Sequence, residues 1–171
     1  MRENGNTQTV GPWTIDYGLG SLLTVRVIGI DFGERRIGLA VSDASATLAR
    51  PLRTIAGDRS DEAAASLLLA AIDALNTEDE VGCVVVGLPT RLDGTASEQT
   101  ARVRKMVDLL SSRLSIPIAM QDERLSSHEA NERLAVRERD WRKRKAKLDA
   151  ASAAVILQDY LDRQKPGRAE G

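Results

Sequence analysis

Residues 81–89, VGCVVVGLP, form an almost unbroken apolar run rich in β-branched side chains. Nine residues are too few to span a bilayer as a helix, and the composition favours a strand over a helix. A strand of this kind has to be covered on both faces, and helices lying on the two sides of a sheet are the usual cover. The run therefore commits the chain to an α/β layer structure with this segment inside it.

The flanking segments fit that plan. "VRVIGID" and "RIGLAVSD" read as two short strands joined by "FGERR", an antiparallel hairpin in which Gly33 can take a positive φ. A third strand follows near "TLARPLRTI". Residues 60–76 place Ala64, Leu67, Leu68, Ala71, Ile72 and Leu75 at helical spacing, with Asp58 or Ser60 as cap. After a turn at Asp93-Gly94, "TASE" reads as a capping box from Thr95 to Glu98, opening a helix that buries Val103, Met106, Val107, Leu110 and Leu114. "IPIAMQDER" is a fifth strand ending in acid, "SSHE" caps another helix through Ser126 and Glu129, and "LDAASAAVILQDYL" is a last helix that Asp149 opens. Three strands followed by alternating helix and strand give a mixed five-stranded sheet with helices on both faces. In the second strand Ile37, Leu39 and Val41 alternate with Gly38, Ala40 and Ser42, leaving one face nearly bare, and we expect a helix to pack there.

The chain has 171 residues, enough for one domain with a real core, and with only 3% aromatic residues that core must be aliphatic. The 24 basic and 25 acidic residues nearly cancel, so only their distribution can indicate a partner. Cys83 is the sole cysteine, which excludes a disulfide framework and a cysteine-based zinc site and suits a reducing cytoplasm; its place inside an apolar strand predicts a buried thiol. Residues 1–24 are polar and glycine-rich without a signal-peptide pattern and are expected to form a disordered extension, with the domain over 25–163 and a flexible tail over 164–171. No stretch predicts a membrane span.

Four carboxylates stand where ligands collect in α/β folds. Asp31 ends the first strand, Asp122 and Glu123 end the fifth, and Asp149 lies at the start of the last helix. Converging acids repel one another unless cations sit between them, and all-oxygen donors suit Mg2+ or Mn2+. Two such ions can activate a water and stabilise the leaving oxygen of a phosphodiester. Neighbours on a strand point to opposite faces, so Asp122 and Glu123 can both face the ions only if the strand has already ended. We favour Asp122, with Asp31 and Asp149, as the metal ligands, and Glu123 as a further catalytic acid. Ser152 and Ala153, one turn beyond Asp149, are small enough to bring that helix face close to the sheet.

The motifs "VIGIDFGERRIGLAVSD", "VVGLPTRLDGTASEQTARVRKMV", "MQDERLSSHEA" and "LDAASAAVILQDYL", in this order, resemble those of the YqgF or RuvX family, a bacterial branch of the ribonuclease H-like superfamily related to Holliday-junction resolvases. The resemblance implies a ribonuclease H-like fold, a metal-dependent nuclease and a part in maturing the 5′ end of the small-subunit (16S) ribosomal RNA precursor, hence in ribosome biogenesis. Junction cleavage in recombination is the alternative it leaves open. By position, Asp31 matches the first-strand acid, Asp122 and Glu123 the "DER" motif, and Asp149 the acid at the start of the final helix. Phe32, where many relatives carry a smaller residue, and the segment ahead of Val25 depart from the pattern.

Residues 133–147, RLAVRERDWRKRKAK, hold eight basic and two acidic residues, a local charge of +6 within a chain of net −1. Beside Asp149 this reads as an arm that tracks phosphates through Arg142, Lys143, Arg144 and Lys145, with Trp141 stacking on an unpaired base. Arg124 is a further candidate phosphate ligand. Arg35, Arg36 and Arg91 read as solvated surface, and His128 as an exposed residue of a helix start. The expected partner is a structured RNA precursor or a branched DNA. With the apolar stripes spent on the sheet and its helices, a monomer or weak homodimer is expected. A P-loop NTPase is excluded by the absence of G-x-x-x-x-G-K-[ST]. The "GIDFG" hairpin also resembles the phosphate loop of actin-like and sugar-kinase ATPases, which need two such domains. A non-catalytic RNA-binding module would keep the basic arm but has no use for acids at two strand ends and a helix start.

Overall fold

The computed structural model describes residues 14–16, 22–57, 60–91, 93–123 and 141–165. Within the segment expected to be a disordered extension, β1 (Thr14–Asp16) and β2 (Leu22–Thr24) pair antiparallel as a separate two-stranded ribbon. The main sheet is built from β3 (Arg26–Phe32), β4 (Arg36–Ser42), β5 (Ala49–Ala56), β6 (Val81–Leu88) and β7 (Ile118–Asp122). Its order is β5-β4-β3-β6-β7, with β4 antiparallel to both neighbours and β3, β6 and β7 mutually parallel. The carboxyl ends of β3, β6 and β7 thus share one edge of the sheet. This is the mixed five-stranded α/β sheet that the resemblance implies.

Three helices are described: α1 (Asp61–Glu78), α2 (Glu98–Ser111) and α3 (Trp141–Gln164). The first two cover one face. Ile28, Ile30, Ile37, Leu39, Val84 and Val86 meet Leu68 and Ile72 of α1 and Val103, Met106 and Leu110 of α2 in one aliphatic core. Helix α3 covers the other face, where Val27, Ala40, Cys83 and Val85 meet Ala153, Ile156, Leu157 and Leu161. The strict alternation of β3, with Ile28 and Ile30 on one side and Val27 on the other, follows from the period of two. Among the described residues no helix is long and apolar enough to cross a membrane.

The bare face of β4 receives α3, as expected. The helix approaches so closely that a Cβ on Gly38 would lie 2.0 Å from the backbone oxygen of Asp149, and one on Gly29 would lie 2.8 Å from Leu157 Cβ. Ser42, on the same small face, is fully buried; its Oγ accepts from the Val27 amide at 2.8 Å and donates to the Asp43 carbonyl at 2.9 Å.

Three local expectations need correction. Gly94 takes a positive φ of 83° but Gly33 does not; Gly33 is needed because its Cβ would meet the Arg36 carbonyl at 2.6 Å, the carbonyl that its own amide bonds at 2.9 Å. The capping box of α2 runs from Ser97 to Thr100, two residues later than Thr95 to Glu98. Thr95 is used by the preceding turn, where its Oγ1 donates to Asp93 Oδ1 at 2.7 Å, and the Thr100 hydroxyl also bonds the Pro89 carbonyl, tying α2 to the end of β6. Finally, α3 begins at Trp141, so Asp149 lies two turns inside the helix and is no cap.

Candidate active site

At the shared edge, β-register sets the positions of the acids. Asp31 pairs with Gly38 on β4. On its other side Ile30 pairs with Val86, so that Asp31 and Gly87 are neighbours one residue on. Gly87 in turn pairs with Gln121, and Leu88 with Asp122. Across the face that carries α3, the row therefore reads Gly38, Asp31, Gly87, Gln121: two side chains separated and flanked by glycine.

The gap above Gly87 is filled by Glu123. Strand β7 ends at Asp122, and from just beyond it Glu123 reaches back so that a Cβ on Gly87 would lie 2.8 Å from its Oε1. There it hydrogen-bonds the Asp31 carboxyl. Burial, the negative charges of Asp31 and Asp122, and this hydrogen bond push the Glu123 carboxyl up to about 7. The neutral form of Glu123 is thereby favoured, and its O–H can donate to Asp31.

The outcome revises the preference for Asp122 over Glu123. Asp122 shares the alternation of Ile118, which packs toward the core of α1 and α2, and its Oδ1 accepts from Thr90 Oγ1 at 2.8 Å. Its charge still acts on Glu123, so it flanks the pair. The residue that reaches Asp31 is Glu123, because the strand has ended and alternation no longer binds it.

Asp149 arrives from above. It is half-buried, its backbone oxygen lies over Gly38, the partner of Asp31, and Ala153 one turn later is fully buried with its carbonyl 3.0 Å from where a Gly29 Cβ would be. A cleft of about 400 Å³ opens beside it, lined by Gly33, Glu34, Arg35, Arg36 and Asp149. Arg36 is half-buried there rather than on open surface, whereas Arg35 and Arg91 are exposed as expected.

Trp141, Arg142, Lys143, Arg144 and Lys145 form the first turns of α3, continuous with the helix that carries Asp149. Arg124, His128, the expected helix after "SSHE" and residues 133–140 lie outside the described residues. Cys83 is buried and its thiol is pushed up to about 11 by that burial, in keeping with a structural role.

Sequence reasoning misses Gly87, Gln121 and Thr90. A glycine interrupting the valines of β6 is the available signal for the first, and spacing by two from Glu123 the signal for the second.

Hard oxygen donors that face one another suit a divalent cation. Among the described residues no three acid, histidine or cysteine side chains form a ready cation-binding group. The assembled part is the Asp31–Glu123 pair, with Asp149 and Asp122 around it.

A family model described as "RuvX: Holliday junction resolvase" matches residues 25–163. A protein of Chloroflexus aurantiacus (strain ATCC 29366 / DSM 635 / J-10-fl), named "Putative pre-16S rRNA nuclease", is 42% identical over 145 residues, which cover 84% of this chain and 92% of the relative. One of the same name from Anaeromyxobacter dehalogenans (strain 2CP-1 / ATCC BAA-258) is 42% identical over 142 residues, 83% of this chain and 100% of the relative. Among solved structures, T. thermophilus RuvC in complex with Holliday junction substrate aligns with a TM-score of 0.49 at 15% identity, over 82% of this chain and 95% of that one.

Proposed function

The chain belongs to the RuvX family, and from that premise we propose that it is a divalent-metal-dependent nuclease that trims the 5′ end of the 16S ribosomal RNA precursor in the cytoplasm. The observation that carries this reading is the Glu123 carboxyl turned over Gly87 to meet the Asp31 carboxyl. Two carboxyl groups held against each other make a poor structural contact and a good cation seat.

In this reading Asp31, Glu123 and Asp149 hold Mg2+ or Mn2+, and Asp122, fixed by Thr90, adds negative charge behind them. The bound ions supply an activated water and stabilise the leaving oxygen of the phosphodiester. The chain's own residues do the rest. Glu123, whose carboxyl is pushed up to about 7, would have to ionise to hold a cation, which favours activity above neutral pH. The rigid row of β3 and β6 fixes Asp31, and α3 fixes Asp149. Arg36 in the adjacent cleft, Arg124 and the basic start of α3 from Arg142 to Lys145 carry the phosphates of a structured RNA, and Trp141 stacks on an unpaired base. The working unit is the domain over residues 25–163, as a monomer or weak homodimer.

A second reading is favoured by the description of the family model, in which the substrate is a four-way DNA junction. Resolving a junction needs two coordinated cuts and so two active sites related by a two-fold axis. End-labelled RNA precursor and four-way junction, incubated side by side in Mg2+ and in Mn2+ with wild type and Asp31→Asn, separate the readings. Cleavage of the RNA near its mature 5′ end, reduced by orders of magnitude in the folded variant, is the expected result. Paired symmetric nicks in the junction with the RNA untouched would establish the second reading. RNA binding with no cleavage in either metal would reduce the protein to a binding module.

A further inference from the structure

Gln121 is only 4% exposed, and its Nε2 is buried without a hydrogen-bond partner among the described residues. An amide donor left unused inside a protein calls for an explanation, because folds seldom retain one. Its place in the sheet supplies one. Gln121 pairs with Gly87, whose other neighbour is Asp31, so the amide and the Asp31 carboxyl flank the same side-chain-free position. The space above that glycine is occupied by Glu123 Oε1 and Ile156 Cδ1. Gln121 and Glu123 are two residues apart, and Glu123 turns back over the glycine that Gln121 pairs with, so both side chains approach one position.

We propose that Gln121 is a positioning residue that holds Glu123 in the geometry needed to bind a divalent cation. With Glu123 turned toward Asp31, the glutamine donor is idle. Were these acids to hold a cation, a Glu123 carboxylate oxygen would remain to accept from Gln121 Nε2. The amide then fixes the carboxylate's rotation, as partners behind a ligating side chain commonly do, and such partners typically account for about 10- to 100-fold in metal affinity. The inference rests on the nuclease reading above, since it concerns that reading's cation seat.

A competing acceptor on α3 has to be tested beside Glu123. Asp159 on α3 also has a buried oxygen, Oδ2, without a hydrogen bond. A merely structural Gln121 would serve that side, through a bridging water or a small shift.

Gln121→Met keeps the length and removes the donor. Mn2+ titration calorimetry on the full chain should show affinity falling by about tenfold, with thermal stability without metal unchanged or higher. In cleavage assays the Mn2+ concentration for half-maximal rate should rise by the same factor, and the rate should recover at saturating Mn2+. Asp159→Asn should leave the Mn2+ affinity as it is. The inference is overturned if Gln121→Met binds Mn2+ like wild type, or if Gln121→Met and Asp159→Asn lower stability non-additively without moving the affinity. Failure of the wild type itself to bind Mn2+ would overturn the nuclease reading and this inference with it.

Discussion

Replacing Glu123 with glutamine should stabilise the protein at alkaline pH and not at acid pH. Folding raises this carboxyl from its ordinary 4.5 to about 7, first through burial and then through the charges of Asp31 and Asp122. A carboxyl whose folded pKa is raised contributes stability that is complete below the unfolded value and lost as pH climbs through the folded value. Wild type should therefore lose stability between pH 4.5 and about 7, whereas Glu123→Gln, which cannot ionise, should not. The gap between those values caps the difference at about 3 kcal/mol. Water reaches the half-open cleft and screens the Coulomb part, so about 2 kcal/mol is the working expectation. Urea unfolding of both proteins in excess chelator, at pH 5, 6, 7 and 8, reads this directly from the midpoints. The variant's advantage should be small at pH 5 and should reach its full value by pH 8. Parallel stability curves over that range would show that Glu123 does not face the other acids, and the site as drawn would fail.

Other consequences are equally concrete. Gly87→Ala puts a methyl 2.7 Å from Ile156 Cδ1 and 2.8 Å from Glu123 Oε1. The flexible end of Ile156 can yield, so the chain should fold at a cost of about 1–3 kcal/mol, while cleavage falls at least about tenfold because Glu123 is displaced by more than the tolerance of such a site. Wild-type cleavage by the folded variant would contradict this. Ser42→Ala strips the Val27 amide of its buried acceptor and should lower unfolding free energy by about 1–3 kcal/mol with the metal affinity untouched, as urea titration and calorimetry would show. Alanine at Arg142, Lys143, Arg144 and Lys145 together should flatten the log–log salt dependence of RNA binding by about 0.7 for each single-strand phosphate that the variant no longer neutralises; an unchanged slope would mean that these residues touch no phosphate.

Much of the sheet is legible in the sequence because β-branched runs and period-two alternation report burial directly. The all-apolar β6, the bare face of β4 and the aliphatic stripe of α2 each lie where their patterns put them. The site is harder to read for reasons visible at single residues. Alternation argues against Glu123 only while the strand lasts, and sequence does not mark that β7 stops at Asp122. Asp149 resembles a helix opener because the preceding basic residues lack an apolar period; arginine, lysine and alanine are good helix formers, and the helix runs back through them to Trp141. Thr95 mimics a cap because two hydroxyl residues, Thr95 and Ser97, stand two apart ahead of the helix, and the Asp93-Gly94 turn claims the first. Gln121 escapes notice because an amide between apolar residues carries no local signature until its register partner is known to be glycine.

The docking of α3 onto Gly38 and Gly29 also orders events during synthesis. Asp31 is made early and waits at the centre of the sheet, while Asp149 belongs to the last of the described elements and is more than a hundred residues away along the chain. Closing so long a loop is slow compared with forming local turns, and its partners leave the ribosome in order. A nascent chain with β3 to β7 already emerged thus carries Asp31 and Glu123 but lacks the acid that α3 brings. On the proposed function, the site would gain its third acid only when the helix that seals the second core has been released.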